Sequence, residues 1–377
     1  MKTNKIVIFA ATLAAIFPVM AAAQTDRQTA AAQQTARDPK ADSPAVTVDL
    51  TGTVRAKFEY QPTEGNARFS VRTARFGVGG EIYSTMTYEM EIDLSDEGRI
   101  RMVEAHVGAK IWRGLSFNIG YMRVPFTIDA HRSPHLQLFA NRSFIAKQMG
   151  NVRDVGATLE WKSGTRIPMN VQIGMFNGSG LDEDLRSYWT RGFNYSAKVQ
   201  AGFAPGLNVV AGYQTTLPQH VRIHMYNAGI TYQTDRWLMD GEYLRKNYSG
   251  GAFAGVDGVD AFVSYGLPIG RGTTGRRVFR RISLLGRYDY MSDHSGGIAV
   301  EPVGGGAAAL VANDPGRHRA TAGVTFSLGL PFSADVRLNY EKYFYTSPDA
   351  RRGIPGPHGV AGPSDHDKIV VELMAHF

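Results

Sequence analysis

Seven titratable side chains crowd the stretch 125–153: Asp129, His131, Arg132, His135, Arg142, Lys147 and, at its end, Arg153. Arginine forks match the oxygens of phosphate two at a time, and cations held in a low-dielectric constriction concentrate anions by focusing the field. The competing reading is that these are solvated loop charges, or that they pair with carboxylates of a surrounding wall. His131 and His135 have metal-ligand spacing only if the segment is helical, and no third ligand stands near them. Neither a metal nor another cofactor is expected.

Other constellations carry less. Gly270-Arg-Gly-Thr-Thr-Gly275 spells the dinucleotide fingerprint, yet Arg276, Arg277, Arg280 and Arg281 then lead into a strand, where the motif needs a helix to receive a phosphate. It reads as a turn. No nucleic-acid-binding module surrounds that basic cluster, so no nucleic-acid partner is expected; contact with anionic lipid or polymer at a rim suits it better. Asp293, His294 and Ser295 are triad residue types, but adjacency alone does not give triad geometry. Cysteine is absent from the 377 residues, which excludes disulfide scaffolds, thiolate metal centres and cysteine nucleophiles.

The elements that must position the 125–153 cations are strands. From Val46 the dominant period is two: Val46, Val48, Leu50, Gly52, Val54, Ala56, Phe58 and Tyr60 alternate with Thr47, Asp49, Thr51, Thr53, Arg55, Lys57 and Glu59. Successive side chains of a strand point to opposite faces, so one face is apolar and the other polar. About sixteen such runs fill 46–377, and none of the chain beyond residue 45 carries a long amphipathic helical pattern. Joints after even-numbered runs are mostly tight (Ser84–Thr85, Arg113–Gly114, Ala204–Pro205). Those after odd-numbered runs include 125–153, 178–190, 248–256, 293–316 and 347–365, with 269–277 breaking the rule. Short turns on one rim and long loops on the other mark an outer-membrane barrel with its short turns on the periplasmic side. A soluble sandwich would alternate too, but has no reason to sort its joints by parity. Mean hydropathy of −0.21 excludes a polytopic helical membrane protein and leaves a membrane barrel open. The expected fold class is therefore all-β, a transmembrane antiparallel β-barrel of about sixteen strands.

A barrel of that size encloses water, so the polar faces become a lumen. Parity assigns Arg55, Lys57, Arg75, Lys110, Lys198, Arg281, Arg287 and Arg319 to it, together with Glu81, Glu89, Glu91, Asp93, Glu104 and Glu160. The loop 125–153 would fold inward and add His131, Arg132, His135, Arg142 and Lys147 to the candidate pore-lining and anion-binding set. Three successive inward acids, Glu89, Glu91 and Asp93, do not suit a strict anion channel, so a weak anion preference is expected.

Both ends of the chain fit export. Residues 1–23 have Lys2 and Lys5 before an apolar run from Ile6 to Met20, then Ala21–Ala22–Ala23, the pattern of a secretory signal peptide. Its removal would lower the formal charge from +7 to +5. Residues 24–45 lack apolar periodicity and net charge, and read as a flexible tail. At the other end Ile369, Val371, Leu373, Ala375 and Phe377 share a face. That resembles the terminal strand by which barrel assembly machinery recognises its clients.

Three stretches resemble the family of phosphate-selective porins O and P. They are Arg72-Thr-Ala-Arg75-Phe-Gly-Val-Gly-Gly80-Glu-Ile-Tyr83; Gly120-Tyr-Met-Arg-Val-Pro125-Phe126 with, after a gap, Phe139 to Ser143 and Phe144; and Met175-Phe-Asn-Gly178-Ser-Gly180. The resemblance implies a homotrimeric channel in the outer membrane of a Gram-negative bacterium, with loops folded into the pore. The function expected is a porin passing small hydrophilic solutes, anions somewhat better than cations, without catalysis. The alternatives are a phosphate- or polyphosphate-specific channel and, from another class, an outer-membrane enzyme or adhesin. Partners would be outer-membrane lipid, the assembly machinery, small anionic or polar solutes and further copies of the chain.

Overall fold

The computed structural model describes residues 45–96, 99–150, 153–164, 166–178, 190, 192–217, 221–251, 255–269, 279–293, 299–300, 309–310, 315–329, 333–346, 354–356, 359–361 and 366–377. The leader, all but the last residue of the tail, the Gly270–Gly275 turn, and His294 and Ser295 lie outside the described residues.

The wall begins with β1 (Asp49–Gln61), β2 (Asn66–Ile82), β3 (Met86–Asp96), β4 (Arg99–Trp112) and β5 (Leu115–Arg123). After the long loop come β6 (Arg153–Ser163), β7 (Met169–Phe176), β8 (Asn194–Ala204), β9 (Leu207–Thr216) and β10 (Ile223–Gln233). It continues with β11 (Trp237–Tyr248), β12 (Val256–Pro268), β13 (Phe279–Met291), β16 (Arg317–Gly329), β17 (Ser333–Tyr345) and β20 (Lys368–His376). Two small ribbons, β14 with β15 (Ala299–Val300, Ala309–Leu310) and β18 with β19 (Ile354–Gly356, Gly359–Ala361), sit in the connections. The other sixteen strands pair in sequence order into one closed antiparallel barrel. Its seam joins β1 to β20 from Thr53 opposite His376 to Tyr60 opposite Ile369, so closure leaves the wall no free edge.

Burial is inside out. Along β1, Thr53, Arg55, Lys57 and Glu59 are buried while Val54 and Tyr60 are exposed; along β17, Arg337, Asn339 and Glu341 are buried while Leu338 and Tyr340 are exposed. In water such a surface would be a liability. In a bilayer it is what hydrocarbon requires, because strands of a closed barrel satisfy one another's backbone and turn apolar side chains outward. The tight joints form where the chain can reverse in two residues. Gly114 and Gly206 sit at φ +75° and +77°, and a Cβ there would lie 2.1 Å from the Lys162 carbonyl oxygen and 2.0 Å from that of Gln233.

In two places alternation alone misreads the wall. Between β1 and β2 the register slips at Arg55/Ala56, leaving Arg72 unpaired; between β3 and β4 it slips at Glu91/Ile92, leaving Val103 unpaired. One inserted residue flips the face of everything beyond it. Arg68 thereby comes opposite Glu59, and Arg101 opposite Asp93, both on the inward side.

Among its described residues, 124–150, the loop carries only short helical turns, Asp129–His131, Pro134–Leu136 and Ile145–Met149. Its Phe126, Phe144, Ile145 and Met149 join Ile223, Met225, Leu244, Val256, Met291 and Tyr343 of the wall in one buried cluster. The inward face is therefore not polar throughout, as strand parity had implied. Where the loop lies against β10–β13 and β17 it is apolar, and each large side chain buried there contributes about 1.5–3 kcal/mol.

Candidate pore and its lining

The loop is held to the far wall by charge as well as by grease. Glu242 accepts hydrogen bonds from the Ile128 amide at 2.9 Å and from Asn227 at 2.8 Å. Asp289 accepts from the Phe144 amide at 3.2 Å and from Arg319 at 2.9 Å. Arg132 bridges Asp240 and Asp129. In return, wall cations donate to loop carbonyls: Arg319 to Arg142 at 2.8 Å, Arg287 to Asn141 at 2.6 Å, Lys198 to Thr127 at 2.7 Å, and Arg55 to Phe139 and Ala140 at 3.2 and 3.0 Å. Arg55 also reaches Gln137, and shares Glu372 with Arg337. Two guanidinium groups approach the Phe144 ring, that of Arg317 at 4.9 Å and that of Arg319 at 4.8 Å from its centroid. An irregular backbone inside a membrane protein must have its polar groups satisfied by protein or water, and here charge-assisted bonds do much of it.

Within the loop, protonation follows burial and neighbours. Burial works against the charge on Asp129, but Arg132, Arg287, Arg142 and the Ser143 hydroxyl outweigh it and hold the carboxyl below its usual range. Arg132 is likewise disfavoured by burial and more than restored by Asp240 and Asp129. For Arg142 burial wins, and with Arg123, Arg75 and Arg153 nearby its guanidinium falls to about 9. Burial, then Lys198 and Arg123, keep His131 neutral, with its Nε2 2.7 Å from the Val124 carbonyl. His135 faces another wall, its ring stacked 3.7 Å from that of His376. The two loop histidines thus share no site, and no group of three metal-ligating side chains occurs among the described residues.

Beside the clasp, a cavity of about 820 Å³ remains open, lined mostly by β1–β5 and the near face of the loop, with Arg153, Arg319, Tyr343 and Lys368 completing its wall. Eleven of its lining residues are Arg or Lys, against two acids, Glu59 and Asp93. Arg75 is held by Glu91 and Asp93, each at 3.0 Å. Arg68 and Lys57 share Glu59 at 2.6 and 2.8 Å, and Arg72 has no acidic partner among the described residues.

Residues 48–235 match the family described as phosphate-selective porin O and P. The chain belongs to that family. No curated protein sequence matches it. Among solved structures this porin is similar to OmpT of Vibrio cholerae, described as a trimer form, at 13% identity over 89% of this chain and 100% of that one, with a TM-score of 0.56. It is also similar to an anion-selective porin from Comamonas acidovorans (11% identity, 88% and 99% covered, TM-score 0.58). A third is the outer-membrane channel DcaP of Acinetobacter baumannii (12%, 90% and 99%, 0.56). At such identities the likeness is one of fold. Family and fold together make this an outer-membrane porin.

The thirteen candidate residues of the porin separate by position. Arg55, Lys57, Arg75, Arg142, Lys147 and Arg319 border the open cavity, although Arg55, Lys57, Arg142 and Arg319 are buried and bonded to loop or wall. His131, Arg132, His135, Lys198 and Arg287 lie within or against the clasp, away from that cavity. Lys110, paired with Glu81, and Arg281, beside the Arg236 carbonyl, stand near the short-turn rim. Arg68, Arg72 and Arg101 line the cavity but escape strict alternation, because the bulges bring them inside. Lys368 also lines it and has inward parity in the sequence.

Proposed function

We propose that this porin passes small hydrophilic solutes by diffusion and prefers anions, the preference arising along the β1–β5 side of the lumen. What supports this is the excess of cations over acids around the open cavity. Such a wall, backed by low-dielectric barrel and bilayer, raises the local anion concentration. The three inward acids of β3 reduce this excess without removing it: Glu91 and Asp93 both bond Arg75, which offsets one of their two charges, and Glu89 lies 3.8 Å from His106. Homotrimer formation belongs to the same reading, supported by the similar structure described as a trimer. So does the leader at 1–23, since an outer-membrane protein must be exported. Zero-current potentials of purified protein in planar bilayers under a KCl gradient test the proposal. Anion-over-cation permeability is expected; a cation-preferring pore overturns it.

A further inference from the structure

The open cavity does not end at the inner face of the wall. It touches Ala67, Arg68, Ser70, Val71, Arg72 and Thr73 of β2, and Arg101, Met102 and Val103 of β4. A cavity confined to the lumen would meet every second residue of a strand. Register explains the difference. β2 pairs with β1 from Asn66 onward, but with β3 only from Arg75, opposite Asp93. Beyond that point β3 and β4 pair with each other alone, and β4 meets β5 only from Ala105, opposite Tyr121. Among the described residues, β2 therefore has a free edge over residues 66–73. Unpaired peptide groups are not tolerated against hydrocarbon, so this edge must be wetted from the lumen.

The two sides of the opening differ in character. Inward stand Arg68 opposite Glu59, Arg72 of the bulge, and Arg101 opposite Asp93, which together form a charged track. Outward stand Phe69 and Val71 and, across the opening, Ile100 and Met102, all exposed. On the outer face Ala56, Phe58, Phe69, Val71, Val371 and Leu373 wall an apolar groove of about 450 Å³, a volume in the range of small-ligand clefts. Val71 borders both the groove and the cavity. Cations on one side of β2 thus adjoin an apolar trough on the other.

Resting on the anion-preferring reading above, we infer that the porin binds a single-chain anionic amphiphile across this opening. Its head lies on Arg72 and Arg68 within the lumen, and its tail passes over the β2 edge into the outer groove. The opening is then a side exit by which such a molecule leaves the lumen for the bilayer. A small hydrophilic anion uses only the inner half of the site.

The test is block of chloride current in planar bilayers at neutral pH. The probes are linear carboxylates from acetate to decanoate, each below its aggregation concentration, and decanedioate. Once the chain is long enough to pass the edge, each methylene that leaves water should tighten block by up to about fourfold. Decanedioate, whose far end is charged, should block far more weakly than decanoate. Arg72→Gln should weaken block at every length. Phe69→Ala with Val71→Ala should flatten the length series and leave acetate block unchanged. A flat series in the unaltered porin would overturn the inference, whether the groove takes no chain or a second copy covers it. So would decanedioate matching decanoate, or an unchanged slope in Phe69→Ala with Val71→Ala, because the chain would then lie in the lumen. A pore that prefers cations in reversal potentials and that acetate does not block would instead overturn the anion-preferring reading beneath it.

Discussion

On the β12–β17 side of the lumen, Arg287 and Arg319 have side chains only 2% exposed, and each holds a carboxylate together with a loop carbonyl. On the β2–β4 side, the Arg68 side chain is 69% exposed and Arg72 faces the open cavity. Residue type and inward direction are the same on both sides. What differs is the loop, which packs its aromatic face against one wall and turns that wall's cations into anchors. Buried ion pairs of this kind fix geometry more than they add stability, whereas exposed cations along a channel shape the field that ions feel. Counting inward arginines therefore does not measure selectivity; their partners do.

The largest break in that contrast should come from Arg319→Ala. It leaves Asp289 and Glu341 buried without their shared cation and removes the bond to the Arg142 carbonyl. Loss of one partner from a buried charge network costs about 3–5 kcal/mol. Denaturant unfolding in detergent should show the loss, and single-channel records should become noisier as the loop detaches. A quiet channel of undiminished stability would mean that the apolar cluster alone holds the loop.

Acid should loosen the clasp at one further point. His135 is pushed down to about 4 by burial, then by His376 and Arg337. An unstacked histidine titrates near 6.5. The signs follow: above pH 6.5 both states are neutral and the stack is intact. As pH falls from 6.5 towards 4 the released imidazole takes a proton that the stacked one refuses, and the contact weakens throughout that window. The groups around it offer little relief, because Glu372 is already shared by Arg55 and Arg337, and Arg337 also holds Asp335. Hydrogen exchange of the 133–137 amides should rise over that range, and His135→Phe, which keeps a ring, should abolish the rise.

On the open side the effects are on ions rather than on stability. Arg68→Glu with Arg72→Glu replaces two cavity cations by two acids and sets one of them opposite Glu59. The anion preference in reversal potentials should fall by a few-fold, the scale of one or two exposed pairs, while the unfolding midpoint stays nearly unchanged. The same potentials in Arg319→Ala should move less than its stability does.

Much of this molecule is legible in its amino-acid sequence. Period two is written directly in the side chains, so Val54, Tyr60, Leu338 and Tyr340 announce the lipid face and Arg55, Lys57, Asn339 and Glu341 the inner one. Joint lengths sort the two rims. Bulges leave no such mark: nothing distinguishes Arg72 or Val103 from its neighbours as an extra residue, and so Arg68 and Arg101 read as outward. The inward apolar residues Ile223, Met225, Leu244 and Met291 escaped for another reason, since an inward face takes its character from what lies on it. The pairing of Arg319 with Asp289, or of Arg132 with Asp240, depends on the path of the loop in space, which no spacing encodes.

The smallest effect tests the contrast from outside it. Lys110 and Glu81 meet at 2.5 Å near the short-turn rim, with side chains 47% and 43% exposed. Arg281 approaches the Arg236 carbonyl at 3.4 Å on the same rim. An exposed pair is worth about 0–1 kcal/mol and is screened by salt, and neither residue borders the open cavity. Lys110→Gln and Arg281→Gln should therefore leave reversal potentials in place and change stability by less than about 0.5 kcal/mol. If either moved the reversal potential as far as the Arg68/Arg72 pair does, selectivity would be spread along the whole lumen. The division between a clasped wall and a charged track would then no longer explain where ions are chosen.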